Sequence, residues 1–65
     1  MATGQWQTSR YPKVEYQGRL GYAMPIVPGK WLFVESASGL SEPVANENEL
    51  RFLGDWQVVE WWHPL

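Results

Sequence analysis

The chain reads as all-β: five or six short antiparallel strands bent into a small barrel, with one helical turn before a late strand. Three observations predict this. Val14, Tyr16, Leu20, Tyr22 and Met24 fall on alternate positions, with Gly18 filling the gap and Glu15, Gln17 and Arg19 opposite. That period of two marks strands with one buried face. Lys30-Trp31-Leu32-Phe33-Val34-Glu35-Ser36 is rich in aromatic and β-branched residues and apolar on both sides, as a central strand is. Glycine- and proline-bearing turn signals separate these runs.

The elements follow in order. Met1 to Ser9 are small or polar apart from Trp6, so residues 1–10 read as a flexible arm with Trp6 as a possible tether. Order is expected from Tyr11-Pro12 onward, with Gly18 and Gly21 as bends or bulges in a curling sheet. Pro28-Gly29 suits the central positions of a type II turn, proline presetting φ and glycine accepting a positive one. Ser36–Gly39 is the next turn, and Leu40 to Val44 a short strand that Pro43 marks as an edge. Asn46 can cap a helical turn over Glu47–Leu50, with Glu49 completing a variant capping box. Extended structure resumes at Arg51-Phe52-Leu53, and Gly54-Asp55 turns into the last strand. The domain proper thus spans 11–53, with 54–65 a C-terminal strand of the same domain or its interface. Leu20, Leu32, Val34, Val44, Leu50 and Phe52 are the expected core.

Sixty-five residues make one domain at most. A chain of this size buries roughly 60 % of the surface it exposes when unfolded, so its margin of stability is thin. It has no cysteine and a single histidine, which rules out disulfides, thiolate metal sites and an imidazole cluster. Five Trp, three Tyr and two Phe, together with association, are left as supports. The net charge is −2, and the five cations are spread over positions 10, 13, 19, 30 and 51. That is not the one-sided basic excess of a nucleic-acid-binding surface. No apolar run approaches a membrane span, and no signal peptide is evident, so a cytoplasmic location is the expectation.

Tyr16-Gln17-Gly18-Arg19-Leu20-Gly21-Tyr22, Pro28-Gly29-Lys30-Trp31, Val34-Glu35-Ser36 and Pro43-Val44-Ala45 resemble, with gaps over positions 16–50, the plasmid-borne type B dihydrofolate reductases. The resemblance implies an SH3-like barrel. It also implies, for that family, an NADPH-dependent active site in a tetrameric pore, lined by a Val-Gln-Ile-Tyr segment before Pro-Val-Ala. This chain has Gly39-Leu40-Ser41-Glu42 there, without the ligand-gripping glutamine and tyrosine, and Glu42 would repel an anionic ligand. The resemblance therefore carries the fold, not the activity. A looser likeness to SH3-like accessory subunits of the ribosome, of transcription and of photosynthetic complexes carries no site residues.

Candidate sites are few. His63 stands two residues from the C-terminus, a poor place to hold a catalytic imidazole. Glu47 and Glu49 read as cap and solvated carboxylates rather than an acid–base pair. Arg19 and Glu35 are suited to pair across strands. Gly18-Arg19-Leu20-Gly21 lacks the lysine and following helix of a phosphate loop. The aromatics carry more. Tyr11, Tyr16, Tyr22 and Trp31 have the composition of a peptide-binding groove. Three of the five tryptophans lie in the last ten residues. In an extended segment Trp56, Val58 and Trp62 share one face, with Val59 and Trp61 on the other. One small barrel rarely covers both, so the strand either pairs with another chain or closes its own barrel with Trp61 partly exposed.

The expected function is a non-catalytic protein-binding or assembly module, without metal or cofactor. It would act through Trp56, Val58, Val59, Trp61, Trp62, Tyr22 and Trp31, with a protein partner or a second copy. A type B reductase-like enzyme and a nucleic-acid-binding barrel are the alternatives.

Overall fold

The computed structural model describes residues 3–65. It is all-β: five antiparallel strands and a single 3₁₀ turn. The strands are β1 (Gly4–Tyr16), β2 (Arg19–Val27), β3 (Lys30–Glu35), β4 (Ser41–Val44) and β5 (Arg51–Pro64), with the 3₁₀ turn at Glu47–Glu49. Their order in the sheet is β4-β3-β2-β1-β5. The sheet curls but is not closed as a barrel: β4 and β5 remain its two edges.

Local chemistry sets each connection. Gln17 and Gly18 both take positive φ (52° and 74°), the two-residue hairpin turn whose twist matches that of the strands it joins. The turn at Pro28-Gly29 is where the sequence places it, with Gly29 at φ 79°. Asn46 caps the 3₁₀ turn, its side chain accepting from the Asn48 N–H at 3.0 Å. The Trp31 indole N–H donates to Glu47 at 2.9 Å and ties β3 to that turn.

The core is Val14, Tyr16, Ala23, Phe33, Val44 and Leu50. Of the expected core only Val44 and Leu50 are buried; Leu20 and Phe52 are exposed, and Leu32 and Val34 lie half-buried. The hairpin is the reason. Tyr16 pairs with Arg19 and Val14 with Gly21, so the inward face of β2 is Arg19, Gly21 and Ala23 rather than Leu20 and Tyr22. Pairing of Ala23 with Phe33 then turns Phe33 inward and Leu32 and Val34 outward. Gly21 is neither bulge nor bend: a Cβ there would stand 2.8 Å from the Phe33 ring, so the missing side chain is the space that ring occupies. Phe33 and Tyr16 meet with centroids 5.1 Å apart.

The arm expected over residues 1–10 is strand from Gly4 onward; Met1 and Ala2 lie outside the described residues. From Gly4↔Pro64 to Pro12↔Trp56, β1 pairs with β5. The β1–β2 ladder begins only at Lys13↔Tyr22, beyond Pro12, which has no N–H to give it. Residues 4–12 and 56–64 therefore form a two-stranded ribbon projecting from the curled body, and the molecule measures 44 × 23 × 20 Å. Between Pro12↔Trp56 and Val14↔Phe52 the register shifts, and β5 bulges through Gly54 at φ 81°.

Candidate functional site

The ribbon gathers most of the residues expected to bind. Cross-strand pairing puts Trp6 with Trp62, Thr8 with Glu60, Arg10 with Val58 and Pro12 with Trp56 on one face. This face runs on into the concave, core-bearing side of the sheet, since Val14 lies two residues on from Pro12 along β1 and pairs with Phe52 beyond the register shift. Trp6 is 69 % exposed, Trp56 56 %, Val58 50 % and Trp62 41 %. Trp6 meets Trp62 edge-on at 5.6 Å. At the base of the ribbon, Pro12, Trp31, Phe52, Gly54, Asp55 and Trp56 line an open cleft of about 360 Å³. Trp31 and Phe52 meet edge-on across it at 5.9 Å.

The opposite face of the ribbon carries Gln5, Gln7, Ser9 and Tyr11 against His63, Trp61, Val59 and Gln57. It is the better satisfied of the two. The Trp61 indole N–H donates to the Ser9 hydroxyl at 3.0 Å, His63 stands edge-on to Trp61 at 5.5 Å, and Val59 is half-buried. The two-faced distribution expected of the last strand is thus present, with Trp56, Val58 and Trp62 on the bare side and Val59 and Trp61 on the other.

Tyr11, Tyr16, Tyr22 and Trp31 do not form one groove. Tyr16 is buried in the core, and Trp31 lies on the concave side. Tyr11 and Tyr22 stack on the outer face with centroids 5.5 Å apart and planes 13° from parallel. The hairpin that reverses β2 separates them. Trp6 is the residue that the sequence left as a tether and that the structure makes the most exposed ring of the site. Its even-numbered spacing with Arg10 and Pro12 was the available signal.

The charged groups pair with one another and with the backbone. Arg19 is held between Glu42 and Glu35, the latter at 3.5 Å, and its guanidinium lies 5.2 Å over the Phe33 ring. Those partners push its pKa up, Glu42 foremost. Burial, then the negative charges of Glu49 and Glu42, raises the pKa of the Tyr16 hydroxyl. Asp55 accepts from the Trp56 backbone N–H at 2.8 Å and from Lys13 at 3.3 Å, and these contacts hold its pKa below the ordinary carboxylate value. The bond to Trp56 fixes the bulge where body becomes ribbon. Among the described residues, no three His, Cys, Asp or Glu side chains converge as a metal site would require, and no helix is long and apolar enough to cross a membrane.

No family model, curated protein or solved structure matches the chain.

Proposed function

We propose that this chain is a non-catalytic, cytoplasmic protein-binding and assembly module whose working surface is the bare face of the ribbon. The observation that carries this reading is the exposure of Trp6, Trp56, Val58 and Trp62 along one face. Weighted by exposure, the three indoles leave roughly 350 Å² of ring surface in water, within the range at which a single apolar patch on a monomer is often functional. A two-stranded ribbon is at best marginally stable in water by itself. A partner laid on its face supplies the second layer it lacks.

The curled five-stranded sheet, with a 3₁₀ turn just before the last strand, supports an SH3-like reading of the body. It does not favour a type B reductase-like pore. Gly39 and Leu40 are loop, Glu42 is engaged by Arg19, and no glutamine or tyrosine stands before Pro43.

Photo-crosslinking tests the proposal. A benzophenone side chain in place of Val58 is expected to capture a polypeptide, either another protein or a second copy, in extract of the source cell and in purified protein. The same group in place of exposed Leu40 is the control. Adducts from neither position, or equally from both, would remove the ribbon from consideration as a binding surface.

A further inference from the structure

We infer that the occupant of the ribbon face is a second copy of this chain, stacked face to face and antiparallel about a two-fold axis at the level of Ser9 and Val59. This rests on the reading of that face as a protein-binding surface and adds the partner and its geometry.

The pattern along the face is what selects a second copy. From tip to base it runs Trp6/Trp62, Thr8/Glu60, Arg10/Val58, Pro12/Trp56. Apolar rings stand at both ends and one charge of each sign lies between them. A two-fold axis across the strands at residue 9 brings level 6 over level 12 and level 8 over level 10. Trp6 and Trp62 of one copy then lie on Pro12 and Trp56 of the other, at the rim of the cleft lined by Trp31 and Phe52. Glu60 of each copy arrives at the level of Arg10 of the other. Neither Arg10 nor Glu60 has an ion-pair partner among the described residues. Turned by the two-fold, the face is complementary to itself in shape class and in charge, as an isologous contact requires.

The area is sufficient for a reversible dimer. Nine ladder pairs at about 3.3 Å per residue make a face roughly 30 Å long. Sheets pack about 10 Å apart, which leaves room for indoles to interdigitate. Roughly 350 Å² of indole per copy, with Val58, Thr8 and the stem of Arg10, brings the stacked pair to about 1,000–1,200 Å², the lower end for a specific interface. An interface of that size belongs to the range of weak, reversible contacts.

Sedimentation equilibrium of the full chain tests this, with charge variants mixed in pairs. The parent is expected to move from 7.5 kDa to twice that mass with rising concentration. Arg10→Glu makes the middle of the face wholly acidic and Glu60→Arg makes it wholly basic, so each variant alone is expected to dimerise at least tenfold more weakly. Mixed in equal amounts they are expected to associate, because both cross-interface contacts then join opposite charges. Trp61→Ala, on the other face, should leave the dimer unchanged. Circular dichroism confirms that each variant is folded. A parent that stays at 7.5 kDa throughout, or two folded variants that do not associate when mixed, overturns the two-fold stack. So does a dimer that is lost with Trp61→Ala but keeps its affinity in the charge variants. A monomeric parent that still crosslinks another polypeptide through position 58 would reject the second copy while leaving the binding surface in place.

Discussion

Removing side chains on the two faces of β3 separates the inward register from its alternative. Phe33 is fully buried, packed at a tilt against Tyr16 and seated over Gly21, while Leu32 lies half-buried on the outer side. A domain of this length has about 3–10 kcal/mol of stability in total. Phe33→Ala costs about 3–5 kcal/mol and leaves little or nothing of that. Val14→Ala, also in the core, is the measurable variant. Two methyl groups at about 0.8 kcal/mol each, with a small cavity term, give about 2 kcal/mol. Leu32→Ala removes three carbons that count only by half and leaves no closed cavity, for about 1 kcal/mol. Urea unfolding followed by tryptophan fluorescence at fixed protein concentration measures Val14→Ala and Leu32→Ala. A loss for Leu32→Ala equal to or larger than that for Val14→Ala would show that β3 faces the other way. The hairpin at Gln17-Gly18 would then be misplaced as well.

Three further outcomes are expected. Gly21→Ala puts a methyl into the Phe33 ring and the backbone of β3, and should destabilise the chain by about 1–3 kcal/mol in the same urea titration; a neutral result would mean that the ring sits elsewhere. The folded pKa of Asp55 lies below its unfolded value of 3.8, so its contribution is complete above a pH of about 4 and lost as pH falls through the folded value. Asp55→Asn should therefore flatten the acid limb of a melting-temperature profile, and an unchanged limb would refute the role. NADPH oxidation with dihydrofolate should show no turnover above background, and turnover that co-purifies with the chain would restore the enzyme reading.

Sequence patterning disclosed what depends on neighbours in the chain. The Pro28-Gly29 turn, the Asn46 cap and the split of Trp56, Val58 and Trp62 from Val59 and Trp61 all follow from two- to six-residue rules. The inward faces did not follow, because period-two apolarity runs unbroken from Tyr16 to Tyr22 across a hairpin that reverses it. An Asn-Gly or Asp-Gly pair would have announced that turn, but Gln17 occupies the position instead, in a left-handed conformation uncommon for it. The ribbon was hidden for a different reason. Gln5, Gln7, Thr8 and Ser9 carry no apolar alternation, and what orders them is a strand some fifty residues away. Half of the candidate site was therefore visible in β5, and the even-numbered spacing of Trp6, Arg10 and Pro12 was the one trace of its other half.

That long-range pairing sets an order of events when the chain folds. The β1–β2, β2–β3 and β3–β4 connections are short, so their hairpins form by closing small loops. The β1–β5 ladder instead joins residues separated by 36 positions at Glu15↔Arg51 and by 60 at Gly4↔Pro64. Its contacts accrue only after most of the chain has lost its freedom, which raises contact order and slows folding. On contact order the four-strand meander is expected to assemble before the ribbon, whose ladder runs from the bulge at Gly54 outward to the Leu65 N–H on the Thr3 carbonyl. The same ladder opens in reverse. Amide exchange should be fastest at residues 4–6 and 62–63 and slowest at Val14 and Phe33, so the tip opens and closes many times within the lifetime of one folded body.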